Sequence, residues 1–193
     1  MCYFESIIQI YGVSLILEQC MIPLSCSQMK DYFHRSYTAA DGLWFMKTEE
    51  RYGFDIALDI DNDVWKIMPR IQGRMLKEMG NLGNSIHDLK ECIETKLDLE
   101  RFRFRIEVHD DRSFTVIISE CPWHNIMKKA GREELSGQIG KKICTTEFEV
   151  LASEFDSSIR SSFESRICTG CLNCILDFRV ETKTGENNKE TGD

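Results

Sequence analysis

The chain has 193 residues, 42% of them apolar and 29% charged, and a formal net charge of −8. That length suits one domain with a substantial core, and the acidic balance argues against nucleic acid or an anionic membrane as the main partner. Nine cysteines are an odd number in a chain too large for a disulfide scaffold and without a recognisable signal sequence, which predicts reduced thiols in a cytoplasm.

Residues 1–28 contain no Lys or Arg, only Glu5 and Glu18 as charges, and Cys2, Cys20 and Cys26. Their apolar runs are too short and interrupted for a membrane span, so this stretch reads as an upstream extension ahead of a start at Met29, the alternative being an amphipathic docking helix. A single domain is expected over residues 29–182, with a polar, disordered tail over 183–193.

From Met29 to Met46 the aromatic and apolar residues recur at helical spacing, with an interruption expected at Asp41-Gly42. Asp41 falls on a side of this helix from which a carboxylate could enter a pocket walled by Trp44 and Phe45; a solvated face beside an aromatic stripe is the alternative. A second helical stretch, Asp55 to Met79, has a kink or break near Met68 because Pro69 lies inside it, and its methionines Met68, Met75 and Met79 read as core. Ser85, with Asp88 three residues on, starts a helix over Ile86–Leu97, in which Cys92 reads as a small buried hydrophobe.

The clearest strand is Arg101 to Val108, whose strict alternation sets Phe102, Phe104, Ile106 and Val108 on one face. Ser113 to Glu120 returns as its hairpin partner and delivers Cys121-Pro122-Trp123-His124 at a strand-to-helix junction, where amide donors and the helix dipole would favour a thiolate. A helix over Gly140–Phe155 sets Cys144 and Glu147 three apart on one face. Two further strands, Ser161–Ile167 and Ile175–Glu181, flank the run Cys168-Thr169-Gly170-Cys171-Leu172-Asn173-Cys174. The fold class expected is therefore α+β: N-terminal helices followed by a small antiparallel sheet of about four strands, with helices between two hairpins.

Three thiols in seven residues fit poorly as isolated buried hydrophobes and well as ligands of zinc or an iron–sulfur cluster. No fourth cysteine follows Cys174, so a four-ligand site must borrow from Cys121, Cys144 or His124. The metal set expected is Cys121, Cys144, Cys168, Cys171 and Cys174. His124, at a helix start, is otherwise a surface or capping residue.

Asp41-Gly42-Leu43-Trp44-Phe45, Glu49-Glu50 with Tyr52-Gly53-Phe54, Asp63-Val64-Trp65, Cys121-Pro122-Trp123, Lys129-Ala130-Gly131-Arg132 and the late cysteine cluster together resemble the L-2-amino-thiazoline-4-carboxylic acid hydrolase-like family over residues 30–182. The resemblance implies a cysteine ending the hairpin (Cys121), a cysteine and an acidic residue on a helix (Cys144, Glu147) and a late cysteine (Cys171 or Cys174). Glu147 stands where the family often has Asp, and three late cysteines stand where one or two are usual.

On this resemblance the activity is hydrolysis of a small cyclic amidine or related carbon–nitrogen bond. A bound metal or a Cys121 thiolate would act on the ring carbon, Glu147 would shuttle protons with His124 as a further acid–base candidate, and Trp44, Trp123 and Asp41 would hold the substrate. The competing reading is a zinc- or iron–sulfur-binding protein with a redox, sensing or cofactor-handling role. Either way the partner is a small molecule, without nucleic acid or membrane, and a homo-oligomer stays open.

Overall fold

The computed structural model describes residues 22–181. The tail expected over 183–193 and most of the extension expected over 1–28 lie outside the described residues. The chain divides into two units, Met1–Trp44 and Phe45–Asp193, and the boundary falls within the first helix, α1 (Cys26–Tyr52).

In the first unit α1 starts at Cys26, which is disulfide-bonded. It runs without a break through Asp41-Gly42, correcting the interruption expected there: one Gly costs a helix only about 1 kcal/mol, too little to stop 27 residues. Thr38 is buried and turns its hydroxyl back onto the carbonyls of His34 and Arg35.

In the second unit α1 ends at Tyr52, and Gly53 (φ 87°) makes the left-handed turn into α2 (Phe54–Trp65). The chain breaks at Lys66-Ile67, just ahead of Pro69, and resumes as α3 (Met68–Gly80), closed by Asn81 in a left-handed conformation. Ser85 opens α4 (Ile86–Leu99) through a reciprocal capping box with Asp88. The hairpin follows as β1 (Arg103–Asp110) and β2 (Ser113–Glu120), then α5 (Pro122–Lys129), α6 (Glu133–Phe155), β3 (Ile159–Ser165), a single 3-10 turn (Ile167–Thr169) and β4 (Cys174–Val180). The fold is α+β, with one antiparallel sheet in the order β1-β2-β4-β3.

The alternation in β2 and β4 sends Phe114, Val116 and Ile118, and Cys174, Leu176 and Phe178, to the helix-covered face, where they meet Leu89, Ile93 and Leu97 of α4 and Phe148, Leu151 and Phe155 of α6. Phe114 and Phe178 pair across the strands and stack at 4.8 Å. Burying a side chain such as Phe178 stabilises by roughly 1.5–3 kcal/mol. Cys92 sits at the centre of this core, fully buried, as expected. On β1 the expected face holds only in part: Phe104 and Ile106 pack against the core, with Phe102 just ahead of the strand, but Val108 is exposed where the edge strand runs past its cover.

A smaller cluster of Leu58, Trp65 and Ile143, flanked by Phe54, Met68, Trp123 and Ile139, seats α2 on α6. Met75 and Met79 face solvent rather than the core expected for them. Among the described residues no helix is long and apolar enough to cross a membrane.

Candidate functional site

Sheet register gathers the cysteines. β2 and β4 run antiparallel with Ile118, three residues before Cys121, opposite Cys174, so the end of β2 lies near the start of β4. Cys121 then caps α5, with Pro122 in its first turn. Cys144 comes from the middle of α6 and Cys168 from the 3-10 turn. Four elements thus deliver Cys121, Cys144, Cys168 and Cys174 to one neighbourhood, in which Cys121, Cys144 and Cys174 each feel the charge of Cys168.

Two glycines on α6 make the close approach possible. A Cβ on Gly140 would stand 2.7 Å from the Cys168 sulfur and 4.0 Å from that of Cys144, and one on Gly137 would stand 3.0 Å from the Cys168 carbonyl oxygen. The 3-10 turn therefore rests directly on the helix backbone. The two glycines cost the helix about 0.5–1 kcal/mol each, which is why composition alone starts this helix at Gly140 and misses its first two turns from Glu133.

Arg166 is the cation of the cluster. Its guanidinium lies 3.4 Å over the Phe163 ring and donates to the Gly140 carbonyl at 3.0 Å and to the Thr145 hydroxyl at 2.7 Å. From there it pulls down the thiols of Cys144, Cys168 and Cys174.

Burial outweighs that pull. It pushes Cys121 up to about 12 despite the amides of His124 and Trp123, which act the other way. This corrects the thiolate expected at the helix start: the dipole and the amides are there, but desolvation of the charged sulfur dominates. Cys144 is held well above its ordinary value by burial first and then by Glu147 and the neighbouring thiols. Cys168 and Cys174 are raised by burial as well, and the Cys174 sulfur accepts the Ile167 amide at 3.2 Å. Cys171 differs, being exposed beside the left-handed Gly170 and the protruding Leu172. Among the described residues no three His, Cys, Asp or Glu side chains stand close enough together, as they are, to hold a metal ion.

Glu147 is buried, and Lys96 Nζ meets its carboxylate at 2.6 Å; the same ammonium meets Glu100 at 2.6 Å. Lys96 is only 2% exposed. Burial disfavours its charge, but Glu147 and Glu100 outweigh that and hold it well above the ordinary lysine value. Gln72 adds a weak amide contact to Glu100 at 3.4 Å. Sequence reading missed this triad, although a signal exists: Lys96 continues the Leu89, Cys92 and Ile93 stripe, and Glu100 follows four residues later. Arg166 and Gly140 carried no comparable signal.

His124 pairs through Nδ1 with the Ser136 hydroxyl at 2.8 Å, and its Nε2 lies 3.8 Å from Glu133, which ties α5 to the start of α6. Trp123 packs edge-to-face on Trp65 at 6.3 Å. Both residues are partners of neighbouring helices as well as candidates for the site. In the first unit Trp44 is 76% exposed, and burial raises the Asp41 carboxyl.

A family model described as "Family of unknown function (DUF6125)" matches residues 26–183. No curated protein matches the chain.

Proposed function

Because the chain belongs to DUF6125, a family of unknown function, its activity has to be argued from the cysteine cluster, and we propose that it binds a soft metal, zinc or an iron–sulfur cluster, through Cys121, Cys144, Cys168 and Cys174. The observation that carries this reading is the convergence of four thiols, Cys174 buried and Cys121, Cys144 and Cys168 partly so, from four separate elements. An all-thiol donor set suits zinc and iron–sulfur clusters alike, and suits magnesium or calcium badly.

Binding would turn the thiols inward about their single χ1 torsions and release their protons, since the thiolate is the ligand. The raised thiols are consistent with a site that stays neutral until a metal cation supplies the compensating charge. Arg166, held by Phe163, Gly140 and Thr145, would offset part of the negative charge of a four-thiolate centre. A metal ion in such a place supplies Lewis acidity and, with a coordination position open, a water acidic enough to ionise near pH 7.

The hydrolytic activity implied by the resemblance stated above enters this reading only through that metal chemistry. A nucleophilic Cys121 with Glu147 as proton shuttle is disfavoured, because burial keeps the Cys121 thiol protonated and Glu147 is engaged by Lys96. Metal analysis and an absorbance spectrum of protein purified without oxygen test the proposal. Stoichiometric zinc in colourless protein, or iron with the broad visible absorbance of thiolate-ligated clusters, supports it; metal-free protein with every thiol open to titration defeats it.

A further inference from the structure

The methionines and isoleucines that miss the core form a continuous feature of the second unit. Ile56, Ile60, Val64, Ile67, Ile71, Met75 and Met79 follow one another at intervals of three or four residues along α2 and α3, the spacing of one helix face. They are exposed by 48% at Ile56, Ile60 and Ile71 and by as much as 75% at Met79. The opposite side of both helices rests on α6, through Thr146 bonded to Asn62 at 2.7 Å and Leu151 packed against Gly73.

The break at Lys66-Ile67 is itself a helical turn, with Lys66 N–H bonded to the Asn62 carbonyl at 3.0 Å and Arg70 N–H to that of Ile67 at 3.0 Å. The stripe therefore continues across it and spans about 35 Å at the helical rise. A monomer's largest apolar patch is typically about 300–600 Å², and a stable interface takes roughly 800 Å² from each partner. Seven large, half-exposed side chains with a charged rim are a substantial part of such an interface.

The rim identifies the occupant. α2 carries Asp55, Asp59, Asp61 and Asp63 and no basic residue, whereas Lys66 and α3 contribute Lys66, Arg70, Arg74 and Lys77 against the single acid Glu78. The stripe is thus acidic at one end and basic at the other, with its centre near Ile67. Laid against itself antiparallel, about a two-fold axis beside Ile67, it sets Asp63 near Arg70 and Asp59 near Arg74 of the other copy, while Lys77 is turned to Glu154, Asn84 and the Phe155 ring of its own chain. Asp59, Asp63, Arg70 and Arg74 also have partners within their own chain, Lys142, Lys66 and Glu154, and each remains largely exposed in those pairs. A parallel arrangement would oppose acid to acid and base to base, so the pattern complements its own reversed copy.

We propose that the outer face of α2 and α3 is an isologous dimer interface that takes a second copy of this chain. Sedimentation velocity on the full chain over a wide concentration range tests it. Wild-type protein is expected to dimerise, and Ile67→Glu with Met75→Glu, both at exposed positions and checked for an unchanged circular dichroism spectrum, to raise the dimer dissociation constant at least tenfold. Asp63→Arg and Arg70→Asp are each expected to weaken the dimer, and the double reversal to restore it. A monomer at every concentration would overturn the proposal and leave the face to another segment of the chain or to a different protein. A dimer indifferent to Ile67→Glu and Met75→Glu would overturn it too, by placing the interface elsewhere.

Discussion

The Cys168 sulfur lies where a Gly140 side chain would be, 2.7 Å from the position of the missing Cβ. The contact makes one helix position the gauge of the whole cluster, because the sulfur of Cys144, one turn further along α6, is 4.0 Å from the same point.

Gly140→Ala separates stability from binding. Alanine gains the helix about 1 kcal/mol over glycine, while the new methyl forces the Cys168 sulfur to swing aside or the 3-10 turn to lift, at a cost of roughly 1–3 kcal/mol. The two effects partly offset, so thermal unfolding should shift by only a few degrees. Metal affinity, measured by competition with a chelator, should fall about tenfold or more because a ligand has been displaced. Unchanged affinity would show that Cys168 is not a ligand.

Lys96 bridges two buried carboxylates, Glu147 and Glu100, at 2.6 Å each. Replacing it with methionine removes the positive charge that the two buried carboxylates share, a loss of roughly 3–5 kcal/mol, readable as a lower urea midpoint with an unchanged slope. Adding Glu147→Gln to Lys96→Met should recover part of that loss, a non-additivity expected only of residues in one network. Strict additivity would mean that the three groups do not act together.

How much of this was legible in the sequence depends on what each segment had to satisfy locally. The strands were readable because the alternation in Arg101 to Val108 and in Ile175 to Glu181 is imposed by the pleat, whatever the neighbours, and Ser113 to Glu120 followed as the return of the hairpin. The start of α6 was not, since Gly137 and Gly140 look like helix breakers until the Cys168 turn that rests on them is known. Met75 and Met79 read as core because periodicity reports that a face is apolar and not what covers it. At the site, the cysteines advertised themselves by type and spacing. Their protonation did not: it is decided by burial, a property of the assembled fold, and at Cys121 it reversed the expectation drawn from the helix start.

The same burial predicts an alkaline limit to stability for metal-free, reduced protein. From an ordinary value of 9.0, Cys92 is pushed up to about 11 and Cys121 to about 12, and Cys144, Cys168 and Cys174 are raised as well. Above pH 9 an unfolded chain gives up these protons while the folded one keeps them, so the unfolded state binds fewer protons and stability falls as pH rises. The contribution is complete below pH 9 and is lost progressively towards the folded-state values. Urea unfolding at about pH 8 and about pH 10.5 should show a clear drop in midpoint, smaller in Cys121→Ser. A midpoint independent of pH over that range would mean that these thiols are not shielded from water.

The most direct test of the cysteine-ligated centre is an anaerobic titration of the reduced full chain with Co²⁺, followed by the thiolate-to-metal charge-transfer band, in wild type and in single Cys→Ala variants. The account predicts one metal per chain, loss of the band in Cys121→Ala, Cys144→Ala, Cys168→Ala and Cys174→Ala, and its retention in Cys171→Ala, whose thiol is exposed beside the cluster. A band absent from the wild type, or abolished by Cys171→Ala while the other four variants retain it, would contradict it.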